Sequence, residues 1–153
     1  MNIETFPTGP FQENCCFVWN DSKQALIFDP GFDAEEIMQR LDALGLTIAA
    51  YVCTHGHADH INALYDLHAR HPAPVAIHSS DAQWAFDHGI EPHYPIPQRP
   101  VIEAFEPLEE KKDWTFADLH FQCIHTPGHS PGSCCLFFAD AGILISGDTL
   151  FKG

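Results

Sequence analysis

The most restrictive feature of this chain is the run Thr-His-Gly-His-Ala-Asp-His at 54–60, which lies between two apolar segments. Residues 48–53 have the length and composition of a buried strand, and residues 61–71 carry apolar side chains at helical spacing. A strand, a polar loop and a helix in this order are typical of layered α/β domains, whose loops carry functional side chains. The fold therefore has to bring three imidazoles and a carboxylate to one end of a strand.

The rest of the apolar pattern predicts alternating strands and helices, followed by strands alone. Three N-terminal runs indicate an antiparallel meander, because the turn-forming segment 20–23 separates the second run from the third. Asp33, three residues before Glu36, indicates a capped helix over 33–44. The other predicted elements are strands at 2–6, 15–19, 25–28, 74–78, 119–125, 133–139 and 142–147, a strand beginning near 113, and a helix at 80–88. The acidic run 106–110 is predicted to be a solvated loop.

Length and charge restrict the class of protein further. A chain of 153 residues with 45% hydrophobic side chains suits a single globular domain. Seven Lys and Arg against 21 Asp and Glu give a net charge of -14, which disfavours binding to nucleic acid or to anionic lipid. Because the sequence has neither a leader nor an apolar stretch of about 18 residues, we expect a soluble, cytoplasmic protein without a membrane span. The six cysteines are then expected to be free thiols, with Cys53 and Cys123 as packing residues.

The 54–60 run has the chemistry of a metal site. His55, His57, Asp59 and His60 offer the nitrogen and oxygen ligands that Zn, Fe or Mn ions prefer. In an extended loop, residues 55 and 57 project to the same side and can share one metal, whereas 59 and 60 lie past the bend and can reach a second. Two metals about 3.5–4 Å apart suit a bridging hydroxide, because each cation lowers the pKa of bound water.

Two further motifs lie far along the chain, each at the end of a predicted strand. One is His-Thr-Pro-Gly-His-Ser-Pro-Gly, from His125 through His129, and the other is Ser-Gly-Asp-Thr around Asp148. Separately, they indicate no more than a tight turn and a strand terminator. His125 abuts the turn that carries His129, so it is a candidate for contacting a metal ligand without binding the metal itself.

Taken together, THGHADH, HTPGHSPGS and ISGDTLF, in this order and spacing, resemble the metallo-β-lactamase superfamily, and within it the short glyoxalase II-like hydrolases. The resemblance includes the segment IFDPG and runs from about residue 2 to the last residue. It implies an α/β fold of the αββα sandwich type, here the N-terminal half plus the first strands of the second half, in one domain over 1–153. Family members are generally longer and contribute one more metal-binding His downstream, so we expect a C-terminally incomplete domain whose exposed sheet edge and apolar face favour self-association.

The resemblance also implies a role for each motif residue. His55, His57 and His129 would bind a first metal, Asp59 and His60 a second, and Asp148 would bridge both. Asp29 would lie beneath the site, in contact with the ligands. The β-lactamases that use a Cys ligand place it where this chain has Asp148, so the resemblance disfavours antibiotic hydrolysis.

The implied activity is hydrolysis of a thioester, such as a hydroxyacylglutathione conjugate, by a hydroxide that bridges two metals, with Zn the expected cofactor and Fe or Mn as alternatives. Asp59 would both bind the second metal and orient the nucleophile. One alternative is a persulfide dioxygenase with a single Fe held by His55 or His57, His129 and Asp148. Another is a module that binds metal without catalysis, because the downstream His is absent from the sequence.

Overall fold

Two β-sheets face each other in the computed structural model, which describes residues 1–87 and 102–151. The first sheet comprises, in spatial order, β1 (Asn2–Thr8), β2 (Glu13–Trp19), β3 (Gln24–Phe28), β4 (Thr47–Val52), β5 (Val75–His78) and β6 (Glu106–Leu108). The second comprises β10 (Ile143–Ile145), β9 (Cys134–Phe138), β8 (Leu119–His125) and β7 (Asp113–Phe116). The helices are α1 (Ala34–Leu44), α2 (Ala58–Arg70) and α3 (Ser79–Asp87).

The alternation of side chains along β2 explains the layering. Cys15 and Phe17 pack among the residues of the three helices, whereas Cys16 and Val18 pack against the second sheet. Because the first sheet is covered on both faces, both cysteines of the pair are buried, where alternation alone required only one. All six cysteines are free thiols, as predicted, and the described part of the chain has the predicted helix–sheet–sheet order.

Strand direction determines where the functional loops meet. β1, β2 and β3 form the predicted antiparallel meander, and β3 to β6 run parallel to one another. Parallel strands end at the same edge of a sheet, so the residues that follow β3, β4 and β5 are neighbours there. Asp29 follows β3, and the 54–60 run follows β4.

The start of α1 differs from the prediction. Asp33 has a left-handed backbone (φ 57°), and its side chain makes no capping hydrogen bond to the helix. Its carboxylate instead accepts a hydrogen bond from the backbone N–H of Gly9, at 2.8 Å. Asp33 therefore holds the loop between β1 and β2 against the helix, so the predicted capping box does not form.

The acidic run 106–110 is also not the solvated loop that its charge predicted. Glu106–Leu108 forms β6, which extends the first sheet by pairing in parallel with β5. Leu108 is buried between the two sheets while Glu106 is exposed. The strand was missed because it is only three residues long and contains a proline.

The helix after β4 begins three residues earlier than its apolar spacing predicted, at Ala58 rather than at 61. Asp59 and His60 therefore lie in the first turn of α2, where the helix axis sets the direction of their side chains. The helix predicted at 80–88 is α3, and the last residue of that prediction lies outside the described residues.

The described surface carries several exposed apolar side chains near the last strand. Leu150 is 62% exposed and Phe151 74% exposed, and Leu144 and Phe11 are also exposed. None of the described helices is long and apolar enough to cross a bilayer. Self-association, the single-domain boundary and a cytoplasmic location stay predictions.

Replacing Phe138 by Ala should destabilise the protein by about 3–5 kcal/mol, because the ring fills the space between the two sheets. Phe138 is 1% exposed, and its ring lies 5.9 Å from that of Phe28 and 5.5 Å from that of Phe121. Urea unfolding measures the change in free energy. The matched control is Phe151→Ala, which removes an exposed ring and should change stability by no more than about 0.5 kcal/mol. Equal effects from both changes would contradict the assigned core.

Candidate metal centre

His55 lies at the centre of the site, just beyond the end of β4. It is 1% exposed, and its ring centroid lies 4.2 Å from that of His60 and 4.8 Å from those of His57 and His129. The hydroxyl of Thr54 lies 3.1 Å from its Nδ1, which leaves Nε2 facing the other imidazoles. Burial, reinforced by His60 and His57, lowers the pKa of His55 to about 2, so this ring is neutral.

His57 and His129 come together from loops that are 72 positions apart in sequence. His57 directly precedes α2, and His129 lies in the loop between β8 and β9. Nδ1 of His57 lies 2.8 Å from Nε2 of His129. One nitrogen from each of His55, His57 and His129 falls within 4.8 Å of the others, which is a spacing at which one cation can contact all three.

Asp148 lies between the two halves of the site, in the short 3-10 turn that follows β10. Its Oδ2 is 3.2 Å from Nε2 of His129, and its Oδ1 is 3.3 Å from Nε2 of His60. The hydrogen bond with His60 lowers the pKa of Asp148 to about 2, with the other imidazoles adding to this effect and burial opposing it. The two oxygens of one carboxylate thus face different imidazoles.

His60 is held from both sides by carboxylates. Its Nδ1 lies 3.1 Å from Oδ2 of Asp29, and its Nε2 lies 3.9 Å from Oδ2 of Asp59. Burial alone would lower the pKa of His60, but the carboxylates of Asp148 and Asp29 outweigh it and raise the pKa to about 11. Without a cation in the site, His60 is therefore a buried imidazolium among acids.

The carboxylate of Asp29 contacts two segments of the site, Thr54 after β4 and His60 in α2. It is 2% exposed and accepts hydrogen bonds from the backbone N–H of Thr54 at 2.7 Å and from the Thr54 hydroxyl at 2.6 Å. Because Asp29 also contacts Nδ1 of His60, it orients that ring so that Nε2 faces Asp148.

His125 takes a different position from the metal-binding imidazoles. Its ring stacks on that of His78 at 4.1 Å, and its Nε2 lies 2.9 Å from the carbonyl oxygen of Pro131. Its backbone N–H donates to the carboxylate of Glu110. The contact with Pro131 connects His125 to the loop that carries His129.

Glu13, at the start of β2, is a site residue that the sequence analysis missed. It is 8% exposed and lines the same cavity as Asp29, Asp59 and Asp148. Its Oε1 accepts a hydrogen bond from the hydroxyl of Thr8, and its Oε2 has no hydrogen-bond partner. An acidic residue beside a turn normally faces solvent, so neither periodicity nor motif spacing could reveal its burial.

The polar atoms of the site fit a cation. Nε2 of His55 is buried without a hydrogen-bond partner, which is unusual for a buried nitrogen, whereas Nε2 of His60 lies 3.3 Å from Asp148 and 3.9 Å from Asp59. A metal ion would contact Nε2 of His55 and of a neutral His60, and the surrounding carboxylates would balance its charge. A second group of possible ligands, Asp29, His55 and His60, also has one atom each within 4.8 Å of the others.

The fold and this geometry agree with the chain's relatives. The family model of the metallo-β-lactamase superfamily matches residues 8–153, so the chain belongs to that superfamily of metallo-hydrolases. It is 35% identical to the probable metallo-hydrolase YqgX of Bacillus subtilis and 33% identical to the hydroxyacylglutathione hydrolase GloC of Haemophilus influenzae. All of this chain aligns in both cases, with 73% of the first relative and 74% of the second.

Two solved structures of differently described proteins have the same fold as this chain. The chain superposes on the BLEG-1 B3 metallo-β-lactamase with a TM-score of 0.86 at 36% identity, over 99% of this chain and 74% of that one. It superposes on TTHA1623, solved in a di-iron-bound form, with a TM-score of 0.82 at 31% identity, over 98% and 74%. The superfamily and the fold expected from the motifs are confirmed.

In the metal-free protein, Glu13→Gln should change the pH dependence of stability. Burial, together with Asp29, Asp59 and Asp148, raises the pKa of Glu13 from 4.5 to about 9, with His60 opposing this rise. Between these values the unfolded chain has released the proton and the folded chain keeps it, so Glu13 lowers stability by about 1.4 kcal/mol per pH unit. Gln has no proton to release, so the stability of the variant relative to the wild type should increase as pH rises.

Chemical unfolding at pH 5 and pH 8, in the presence of a chelator, measures this difference. Glu103→Gln provides the control, because this side chain is exposed to solvent in the folded protein. A wild-type-minus-E13Q difference that is the same at both pH values would show that Glu13 ionises normally.

Proposed function

We propose that this chain is a metal-dependent hydrolase that acts on a thioester, of the hydroxyacylglutathione type. The observation that carries the proposal is the convergence of His55, His57 and His129 from two distant loops, with Asp148 reaching from His129 to His60. The 33% identity with GloC over the whole chain supports the substrate class.

The imidazoles of His55, His57 and His129 would hold a first cation, and Asp59 and His60 would hold a second. Asp148 would contact both, because its two oxygens face His129 and His60 respectively. Cations in these positions would supply Lewis acidity and would lower the pKa of water at the site. Zn is the proposed metal, with Fe or Mn as alternatives, since nitrogen and carboxylate ligands accept all three.

The protein's own residues would then control protons and orientation. Asp59 lies in the first turn of α2 with its side chain 31% exposed, so its carboxylate would be accessible both to a cation and to the attacking water, from which it would accept a proton. Asp29 keeps the ring of His60 in place through Nδ1, so that Nε2 remains directed at the site. These two aspartates therefore have distinct roles, one in the reaction and one in support.

A cavity of about 540 Å³ beside Asp59, His60 and Asp148 would receive the substrate. This volume suits a small molecule. Its lining combines acidic residues and His60 with apolar side chains such as Ile3 and Leu144. The thioester carbonyl would lie beside Asp59, whose carboxylate would orient the attacking water.

The second candidate function is a persulfide dioxygenase with a single Fe. The contacts of His129 with His57 at 2.8 Å and with Asp148 at 3.2 Å favour it, because two imidazoles and one carboxylate are the ligand set of many non-haem iron oxygenases. This reaction consumes O₂, and thioester hydrolysis does not. Metal content and oxygen uptake therefore separate the two candidates.

His57→Ala should remove about one equivalent of bound Zn per chain, since a site with two remaining imidazoles no longer has the three protein ligands typical of such centres. Elemental analysis of protein dialysed against trace Zn²⁺ measures the change. The exposed His71→Ala, at the end of α2, is the matched control and should bind as much Zn as the wild type. Equal metal content in H57A and the wild type would remove the first cation site from the proposal.

Asp59→Asn should lower kcat for S-lactoylglutathione hydrolysis by about 100-fold or more, because an amide cannot accept the proton of the attacking water. Loss of thioester absorbance in Zn-loaded protein measures the rate, with the exposed Asp66→Asn on the same helix as control. Wild-type protein that binds Zn but hydrolyses no thioester would favour a metal-binding module instead. One Fe per chain with O₂ uptake on a persulfide would favour the dioxygenase.

A further inference from the structure

Asp81 is a buried carboxylate outside every motif described above. It lies in the first turn of α3, three residues beyond the end of β5, and is 0% exposed. Its Oδ2 accepts hydrogen bonds from the backbone N–H of Gly56 at 2.9 Å and from the hydroxyl of Ser130 at 2.5 Å. Its Oδ1 accepts from the backbone N–H of Gly132 at 2.7 Å.

The three donors belong to the two loops that carry the imidazoles. Gly56 stands between His55 and His57, and Ser130 directly follows His129. One carboxylate therefore ties together two loops that follow strands of different sheets, and a backbone hydrogen bond from the N–H of Cys134 to the carbonyl of Thr54, at 2.9 Å, joins the same two segments. The distance between those loops decides whether Nδ1 of His57 and Nε2 of His129 can lie 2.8 Å apart.

The packing around Asp81 is as close as its hydrogen bonding. A Cβ atom added to Gly132 would lie 2.7 Å from the Asp81 carboxylate, and one added to Gly56 would lie 3.2 Å from the Asp81 Cβ and 2.8 Å from that of Ala85. Both loops thus approach α3 more closely than any side chain allows. This contact, rather than an unusual backbone conformation, accounts for glycine at both positions.

The charge of Asp81 makes its contacts strong. A fully buried carboxylate is costly unless donors satisfy its oxygens, and hydrogen bonds to an ionised group are stronger than neutral ones. The N-terminal turn of α3 adds a favourable dipole. The hydroxyl of Ser133 accepts from the backbone N–H of Ser130 at 3.0 Å, so the second loop is braced internally where it meets Asp81.

We propose that Asp81 is a positioning residue for the first cation site. Its carboxylate holds the His55–His57 loop and the His129 loop at metal-binding distance before any cation binds. The metal-binding role of this residue rests on the proposed function. The structural part of the inference, that the two loops separate without Asp81, does not depend on metal binding. Residues that orient metal ligands typically change metal affinity by about 10–100-fold when they are replaced.

The test compares wild-type protein with Asp81→Asn. The variant keeps the size of the side chain but replaces one acceptor oxygen by an amide N–H₂, which cannot accept a hydrogen bond from the loops. In metal-free protein, NMR measures the contact between the rings of His57 and His129, whose centroids lie 4.5 Å apart. Competition with a chromophoric chelator then measures Zn²⁺ affinity. The variant should lose the ring contact and bind Zn²⁺ about 10–100-fold more weakly, while the amide resonances of both sheets stay unchanged.

Ser130→Ala is the milder second variant, because it removes one of three donors and leaves the carboxylate in place. S130A should weaken the ring contact and the Zn²⁺ affinity by smaller amounts than D81N does. If D81N fails to fold, S130A tests the inference in its place. The exposed Asp66→Asn on α2 should change neither readout.

A retained ring contact with unchanged Zn²⁺ affinity in D81N would overturn the inference. Should D81N lose its sheet resonances, the same result in S130A would overturn it. Wild-type protein that binds no Zn²⁺ would refute the proposed function instead, and the ring contact in metal-free protein would still decide the role of Asp81.

Discussion

The buried carboxylate of Asp29 is the interaction on which the rest of the site depends. It lies directly after β3, accepts two hydrogen bonds from Thr54 after β4, and contacts Nδ1 of His60 in α2. A charge this deeply buried is tolerated only where donors surround it, and here the donors come from two different elements. The site therefore assembles only when β3 pairs correctly with β4 and α2 packs correctly beside them.

The site also contains unsatisfied polar groups in the protein without a cation. Burial and the neighbouring aspartates raise the pKa of Glu13, so it keeps its proton, and Nε2 of His55 lacks a hydrogen-bond partner. Stability is given up here so that ligands are already in place when a cation arrives, which lowers the cost of organising them afterwards. Asp81 extends this arrangement to the far side of the site by tying the two imidazole-bearing loops to α3.

The motifs of this chain predicted much of the fold and the candidate ligands, and their failures have identifiable causes. β6 was missed because a three-residue strand gives no periodic signal, and the capping role of Asp33 was wrong because a tertiary contact with Gly9 competes for its carboxylate. Glu13 and Asp81 were missed because their burial depends on partners far away in sequence. The role of His125 beside a metal ligand stays a prediction, and the packing of its ring on His78 and Pro131 could not be foreseen from the sequence.

By itself, the sequence determined the order of strands and helices, the superfamily and the side chains available for binding metal, because periodicity and motif spacing are local properties of the chain. Tertiary structure alone decided which of those side chains meet and how they are charged. The neutral ring of His55, the raised pKa of His60 and the approach of His57 to His129 arise from burial and from contacts between distant segments. Such contacts depend on how the two sheets and α3 pack, which no single segment encodes.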